Sequence, residues 1–141
     1  MGKINVGRLI LGGIVAGIAI DLIDYFVDGV WLAPRWADGM AALGHGNFSS
    51  GQVIWFNVIG LLSGIAAIWV YAAIRPRFGP GVKTAIYAGL AVWILSTLFP
   101  NVGFMYVAKL FSNHLTFYTT LGGLVEVLVG TVAGASVYRE T

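Results

Sequence analysis

Four carboxylates stand inside apolar stretches of this chain, where charged side chains are rare. Glu126 lies in the middle of an apolar run at residues 121–137, and the run at residues 9–31 carries Asp21, Asp24 and Asp28. Both runs are long enough to cross a bilayer. Ionisable groups at membrane depth are costly, and they usually face a protein interior or a wet cavity, often for a functional reason. These four acids are therefore the first candidates for a functional site.

The spacing of polar residues predicts a layer at one depth. Counted from the basic residue at the end of each apolar run, four residues lie 12 or 13 positions into the membrane: Asp21, Ser63, Ser96 and Glu126. That distance is about 20 Å at 1.5 Å per helical residue. The three aspartates are spaced i, i+3, i+7 and share one helix face. We expect them to form, with Glu126, a polar path from mid-membrane to the outer side.

Carboxylates that meet in a low-dielectric environment do not all ionise, so they hold a proton or bind a cation. The candidate residues for such a proton- or cation-binding site are Asp21, Asp24, Glu126, Ser63, Ser96 and Asn57. Two other interpretations stay open. A protonated Glu126 hydrogen-bonded to a serine or a helix carbonyl would only hold helices together. The same group could also contact another subunit or a cofactor, although no particular cofactor is indicated.

The two histidines, His45 and His114, fall in predicted outer loops. With Asp28 they could offer imidazole and carboxylate ligands to zinc or copper. No HxxxH, HxxE or CxxC spacing supports this, and the chain has no cysteine. The sequence therefore favours no metal site, with these three residues as minor candidates.

Hydropathy divides the chain into four segments of spanning length. We predict one integral membrane domain, residues 1–141, with spans at residues 8–30, 52–74, 82–99 and 116–138. A composition that is 58% hydrophobic and 10% charged is far from that of a soluble protein. The predicted fold class is all-α, a bundle of four transmembrane helices.

Basic residues predict the orientation of the bundle. Six of them fall on one side of the predicted membrane: Lys3, Arg8, Arg75, Arg77, Lys83 and Arg139. Only Arg35 and Lys109 fall on the other, so both termini are predicted to be cytoplasmic. Because the basic residues form no patch, nucleic-acid binding is excluded. The two outer links, near residues 31–43 and 102–111, are expected to form short amphipathic helices on the membrane surface.

Every predicted span contains a pair of small residues four positions apart, the pattern that lets membrane helices approach closely. The pairs are Gly13 with Gly17, Gly60 with Gly64, Ala85 with Gly89, and Gly130 with Gly134. Most lie toward the cytoplasmic side, whereas aromatic residues concentrate toward the outer side. The sequence therefore predicts a bundle that is narrow at the cytoplasmic end and wider at the outer end.

Three stretches resemble small bacterial four-span membrane proteins that have no assigned activity: RLILGG at residues 8–13, YAAIRPRFGPG at residues 71–81 and YRE at residues 138–140. The resemblance covers most of the chain. It implies the four-helix fold and a place in the bacterial inner (cytoplasmic) membrane. It carries no functional residues across.

Two function classes fit the sequence. The first is a non-catalytic accessory or structural subunit of a larger membrane complex, favoured by the small size and the absence of catalytic motifs such as GxSxG or GxGxxG. The second is a small oligomeric proton- or cation-coupled transporter or channel that uses Asp21 and Glu126. The expected partners are the lipid bilayer and either other membrane subunits or further copies of this chain. Enzymatic activity is not favoured.

Overall fold

The computed structural model describes residues 3–140, and within that range it is built of helices without strands. The elements are α1 (Val6–Phe26), α2 (Ala33–Ala42), α3 (Ser50–Phe78), α4 (Val82–Trp93) and α5 (Asn113–Val137). Wider π-helical turns extend α1 through Val27–Trp31, and they extend α4 through Ile94–Leu98 and Asn101–Val107. The predicted all-α fold with four helices long and apolar enough to cross a membrane is confirmed.

Side-chain caps fix where the helices begin. The Ser49 hydroxyl accepts a hydrogen bond from the backbone N–H of Gln52 at 3.3 Å, and the Gln52 side chain accepts one from the Ser49 N–H at 2.8 Å. This reciprocal capping box satisfies donors that an α-helix leaves free at its start. At α5, the Ser112 hydroxyl accepts from the Leu115 N–H at 3.2 Å. The starts of α3 and α5 are therefore set by local sequence.

The link between α3 and α4 is a tight turn. Gly79 and Gly81 have φ values of +81° and +122°, which side chains with a Cβ rarely adopt. The Thr84 hydroxyl donates to the Gly79 carbonyl at 2.7 Å, and the Tyr71 hydroxyl accepts from the Gly81 N–H at 3.1 Å. The two helices therefore pack antiparallel beside each other. We call the end of the bundle that carries this link and both termini the terminal end, and the opposite one the distal end.

The helix of the third span is longer than the sequence predicted, because it passes Pro100 and ends at Val107. Proline has no N–H to donate and its ring clashes with the preceding turn of an α-helix. Here Pro100 lies between two π-helical turns, and their wider hydrogen-bond register accommodates that break. The part of residues 102–111 up to Val107 therefore continues this helix and does not form a separate short one. In the other distal link α2 is a separate helix, and its position relative to a membrane surface stays a prediction.

α1 packs along both α3 and α5, while α4 packs against α5 and α3. In the terminal half the helix backbones nearly touch. A Cβ on Gly64 would overlap the backbone of Gly13 and Gly17, and a Cβ on Gly134 would overlap the carbonyl oxygen of Gly12. Small residues are therefore what allow α1 to lie between α3 and α5.

All eight residues of the small-residue pairs lie at contacts between helices. A Cβ on Gly130 would press on the carbonyl oxygen of Ala16, and one on Gly89 would lie 3.1 Å from the Thr131 hydroxyl of α5. Ala85 is fully buried in the terminal core. Gly134 lies against Gly12 of α1, and the other four members lie between α1 and α3: Gly13, Gly17, Gly60 and Gly64. A separate small apolar cluster of Leu32, Met105 and Leu115 lies at the distal end.

Candidate functional site

Three acids from two helices meet toward the distal end of the bundle. Carboxylate oxygens of Asp24, Asp28 and Glu126 all lie within 4.8 Å of one another. Asp24 belongs to the last part of α1, Asp28 to the π-helical turn that follows it, and Glu126 to the middle of α5. We call these three residues the carboxylate site.

A glycine contact brings the two helices together at this level. A Cβ on Gly122 would lie 2.6 Å from Cγ1 of Val27, so only a glycine lets α5 approach the π-helical turn this closely. Gly122 is one helical turn before Glu126, on the same face of α5. The approach that Gly122 allows therefore places the Glu126 carboxylate beside the two aspartates.

Two hydrogen bonds hold the Asp28 carboxylate. Its Oδ1 accepts from the indole Nε1 of Trp36 at 2.7 Å and from the hydroxyl of Thr119 at 2.7 Å. Trp36 belongs to α2, and its ring packs edge-on against Phe111 and Phe48, with ring centroids 5.1 Å and 5.9 Å away. The short helix α2 is therefore attached directly to the site through Trp36, and Phe48 and Phe111 pack against the ring of this residue.

Glu126 is the most enclosed of the three acids. Only 7% of its surface is exposed, and its Oε1 is fully buried without a hydrogen-bond partner among residues 3–140. A buried polar atom without a partner costs free energy and is rare in folded proteins. An ion pair between Arg75 and Glu140, at 3.2 Å, lies at the terminal end and does not offset the charge of this site. A cation bound beside these carboxylates would therefore offset their charge and give Oε1 of Glu126 a partner.

The other residues predicted for the proton- or cation-binding site lie outside this group. The Asp21 carboxylate is placed directly over Gly60 of α3, where a Cβ would collide with its Oδ1. Asn57 is exposed and donates to the Val53 carbonyl of its own helix at 2.8 Å. Ser96 is exposed, with its hydroxyl 3.4 Å from that of Thr97, and Ser63 is partly buried on α3. Residues predicted at similar depth thus contact different neighbours, so depth alone does not predict which side chains form a site.

Both histidines are exposed, and neither joins a metal-competent group of His, Cys, Asp or Glu among residues 3–140. The His114 ring lies 4.4 Å from the ring of Tyr118 one helical turn later. Asp28, the third minor metal candidate, does belong to such a group, but its companions are carboxylates.

Neither Thr119 nor Trp36 was predicted as a site residue from the sequence. Thr119 lies seven positions before Glu126, which is two helical turns on the same face of α5, so this spacing could have identified it. Trp36 falls in the link near residues 31–43, which the sequence predicts to be an amphipathic helix on the membrane surface. Nothing in its sequence environment indicated that its indole N–H reaches Asp28.

A groove of about 530 Å³ lies between α5 and the extended part of α4, on another side of the bundle. Its lining is almost entirely apolar, including Leu98, Val102 and Phe117. At one wall the Asn101 amide donates to the Thr120 hydroxyl at 2.9 Å, and the Trp93 indole donates to the Thr120 carbonyl at 3.0 Å. These hydrogen bonds tie the irregular part of α4 to α5.

No protein-family model matches this chain, and the searches of curated proteins and of solved structures gave no match either. The function of the carboxylate site is therefore inferred from its own chemistry.

Proposed function

We propose that this protein is a small membrane transporter or channel for cations, with the carboxylate site as its cation-binding centre. The observation that carries the proposal is the buried, unpartnered Oε1 of Glu126 beside Asp24 and Asp28. Acids inside membrane helices commonly mark ion pathways, because an ion is what offsets their cost. This is the transport alternative from the sequence, with Asp24 and Asp28 in the place that Asp21 was expected to take.

The surroundings of the site support access from one end at a time. On the terminal side, the glycine contacts between α1, α3 and α5 leave no space between the backbones. On the distal side, α2 meets the site through the Trp36–Asp28 hydrogen bond. A cation would enter past α2, and its release to the other side would require α1 to separate from α3 or α5. This arrangement suits a transporter that alternates between two accessible states better than an open pore.

The proposed setting is the bacterial inner membrane, with both termini cytoplasmic and α2 on the outer side. The excess of lysine and arginine at the terminal end supports this orientation. Since the chain lacks cysteine, single substitutions can test it. We expect a membrane-impermeant maleimide to label Gly46→Cys in intact cells and to label Phe78→Cys only after lysis. The reverse pattern would invert the proposed topology.

Flux measured in liposomes tests the transport function directly. The purified protein is reconstituted alone, and uptake of monovalent and divalent cations and of protons is followed with internal indicators. We expect Glu126→Gln to lower the flux at least tenfold. Asp38→Asn is the matched control, because Asp38 is an exposed acid of α2 outside the site. No flux of any cation by the folded protein, or equal flux in both variants, would contradict the proposal.

The second candidate is a non-catalytic accessory subunit of a larger membrane complex. It is supported by the large apolar side chains that the extended part of α4 exposes, with Phe104 and Val107 67% and 68% accessible at the distal end. Purification of the tagged protein from its own membranes in mild detergent, with the mass of the isolated species, distinguishes the candidates. Foreign subunits in stoichiometric amount would favour the accessory role. A homo-oligomer or a monomer would leave transport as the better proposal.

A further inference from the structure

We propose that the carboxylate site binds one hard divalent metal ion, of the class of Mn²⁺, Mg²⁺ and Ca²⁺. The inference rests on the proposed function, since it names the chemical class of the cation. It also stands on the geometry of the three acids, so it can hold or fail separately from transport.

The separations between the oxygens fit a single ion. Calcium binds oxygen ligands at about 2.3–2.6 Å and magnesium at about 2.0–2.1 Å, so two ligands on opposite sides of one ion lie about 4–5 Å apart. Oxygens of Asp24, Asp28 and Glu126 lie within 4.8 Å of one another. One ion placed among them would reach all three carboxylates with only small side-chain movements.

Burial of Glu126 is the second, independent observation. This side chain is more than nine-tenths buried, and its Oε1 has no hydrogen-bond partner among residues 3–140. A carboxylate oxygen accepts and cannot donate when ionised, so it needs either a donor or a cation. The residue beside Oε1 is Gly122, on which a Cβ would lie 3.6 Å from this oxygen. Glycine has no side chain that could donate a hydrogen bond to Oε1. A metal ion supplies what the surrounding residues do not.

The ligand set selects the class of metal. All three ligands are carboxylates, the chain has no cysteine, and neither histidine belongs to the group. Oxygen ligands suit magnesium, calcium and manganese, whereas zinc and copper sites in proteins draw on histidine or cysteine. A divalent ion also offsets more of the charge of three clustered carboxylates than a monovalent ion does, which matters most where water is scarce.

The residues around the ligands fit the outer shell of a metal site. Thr119 and Trp36 both donate to Oδ1 of Asp28, which fixes the orientation of that carboxylate. Partners of this kind typically contribute 10- to 100-fold to metal affinity. Trp36 also connects the ligand to α2, so loading of the site and the position of α2 are linked.

Binding of Mn²⁺ to the detergent-solubilised full chain tests the inference. The free ion is followed by its electron paramagnetic resonance signal, and competition by Ca²⁺, Mg²⁺, Zn²⁺ and K⁺ is measured in the same samples. We expect one Mn²⁺ per chain, displaced by Ca²⁺ or Mg²⁺ and not by K⁺. Asp24→Asn and Glu126→Gln should each weaken Mn²⁺ binding at least tenfold, while Asp38→Asn leaves it unchanged.

Thr119→Val guards against a folding artefact, because it removes no ligand and is nearly the same size. It should weaken Mn²⁺ binding about tenfold while the helix content by circular dichroism stays unchanged. Absence of Mn²⁺ binding to the folded wild type up to millimolar concentration, or binding that Asp24→Asn does not alter, would overturn the inference. If protons or monovalent cations cross liposomes without Mn²⁺ binding, the inference fails and transport stands. If Mn²⁺ binds and no cation crosses, transport fails and the metal site stands.

Discussion

The terminal and distal halves of this bundle are built from different kinds of residue. In the terminal half, Gly13, Gly17 and Gly64 bring α1 and α3 into backbone contact, and the core is dominated by alanine. In the distal half, helices carry π-helical turns, aromatic rings and carboxylates. Close backbone packing and the group of three carboxylates therefore lie in different halves of the bundle. We expect substitutions in the terminal half to change stability and substitutions in the distal half to change metal binding.

The largest expected effect is on stability in the terminal half. Gly64→Val places a side chain on the backbone of Gly13 and Gly17, where nothing flexible can move aside. We expect it to lower the free energy of unfolding by about 3 kcal/mol, at the upper end of the range for overpacked sites. The same change at Gly103 is the control, because its Cβ position meets nothing within 4 Å. Unfolding in mixed micelles at increasing SDS measures both, and equal losses would show that the glycine contacts are not tight.

Next in size is the effect of Trp36→Phe on the distal half. The substitution keeps an aromatic ring against Phe48 and Phe111 and removes the 2.7 Å hydrogen bond to Asp28. We expect Mn²⁺ affinity to fall about tenfold, which is about 1.4 kcal/mol, with little change in stability. Trp55→Phe serves as the control, since Trp55 is 68% exposed on α3. An equal loss in both variants would show that the indole bond does not orient the site.

A smaller effect with an unusual sign is expected for Glu126→Gln in the absence of metal. Replacing a buried, unpartnered carboxylate by a neutral amide removes the free-energy cost of keeping an unpaired charge away from water. We expect the melting temperature in EDTA to rise slightly, equivalent to about 1 kcal/mol, while Mn²⁺ no longer stabilises the protein. Asp38→Asn should show neither change. A fall in stability in EDTA would instead support the alternative in which Glu126 only holds helices together.

The smallest effects are expected at Ser96 and Asn57, two polar candidates from the sequence that lie outside the carboxylate site. Ser96→Ala and Asn57→Ala change exposed residues that lie outside the carboxylate site. Each should alter stability by less than about 0.5 kcal/mol and leave Mn²⁺ binding and cation flux within twofold of wild type. A clear loss of flux in Asn57→Ala would extend the functional region from the carboxylate site to α3.

The helices were largely predictable from the sequence, and the site only in part. The long apolar runs predicted all four helices that are long and apolar enough to span a membrane, because a backbone in lipid must satisfy its hydrogen bonds within its own segment. The predicted end of the third span, at residue 99, is wrong. Hydropathy does not indicate the π-helical turns that carry this helix past Pro100 to Val107. A count of residues gives the depth of a side chain but not the direction in which it points. All three aspartates were expected beside Glu126; the structure brings Asp24 and Asp28 to Glu126 and places Asp21 over Gly60.

The contact between Gly12 and Gly134 joins α1 to α5, two helices that are far apart in the sequence. During synthesis α1 is made before α5, so the contact between these two helices forms only after α5 has been made. Until then Asp24 and Asp28 have no Glu126 beside them and no Thr119 to donate a hydrogen bond. The group of three carboxylates is therefore complete only after α5 has joined α1.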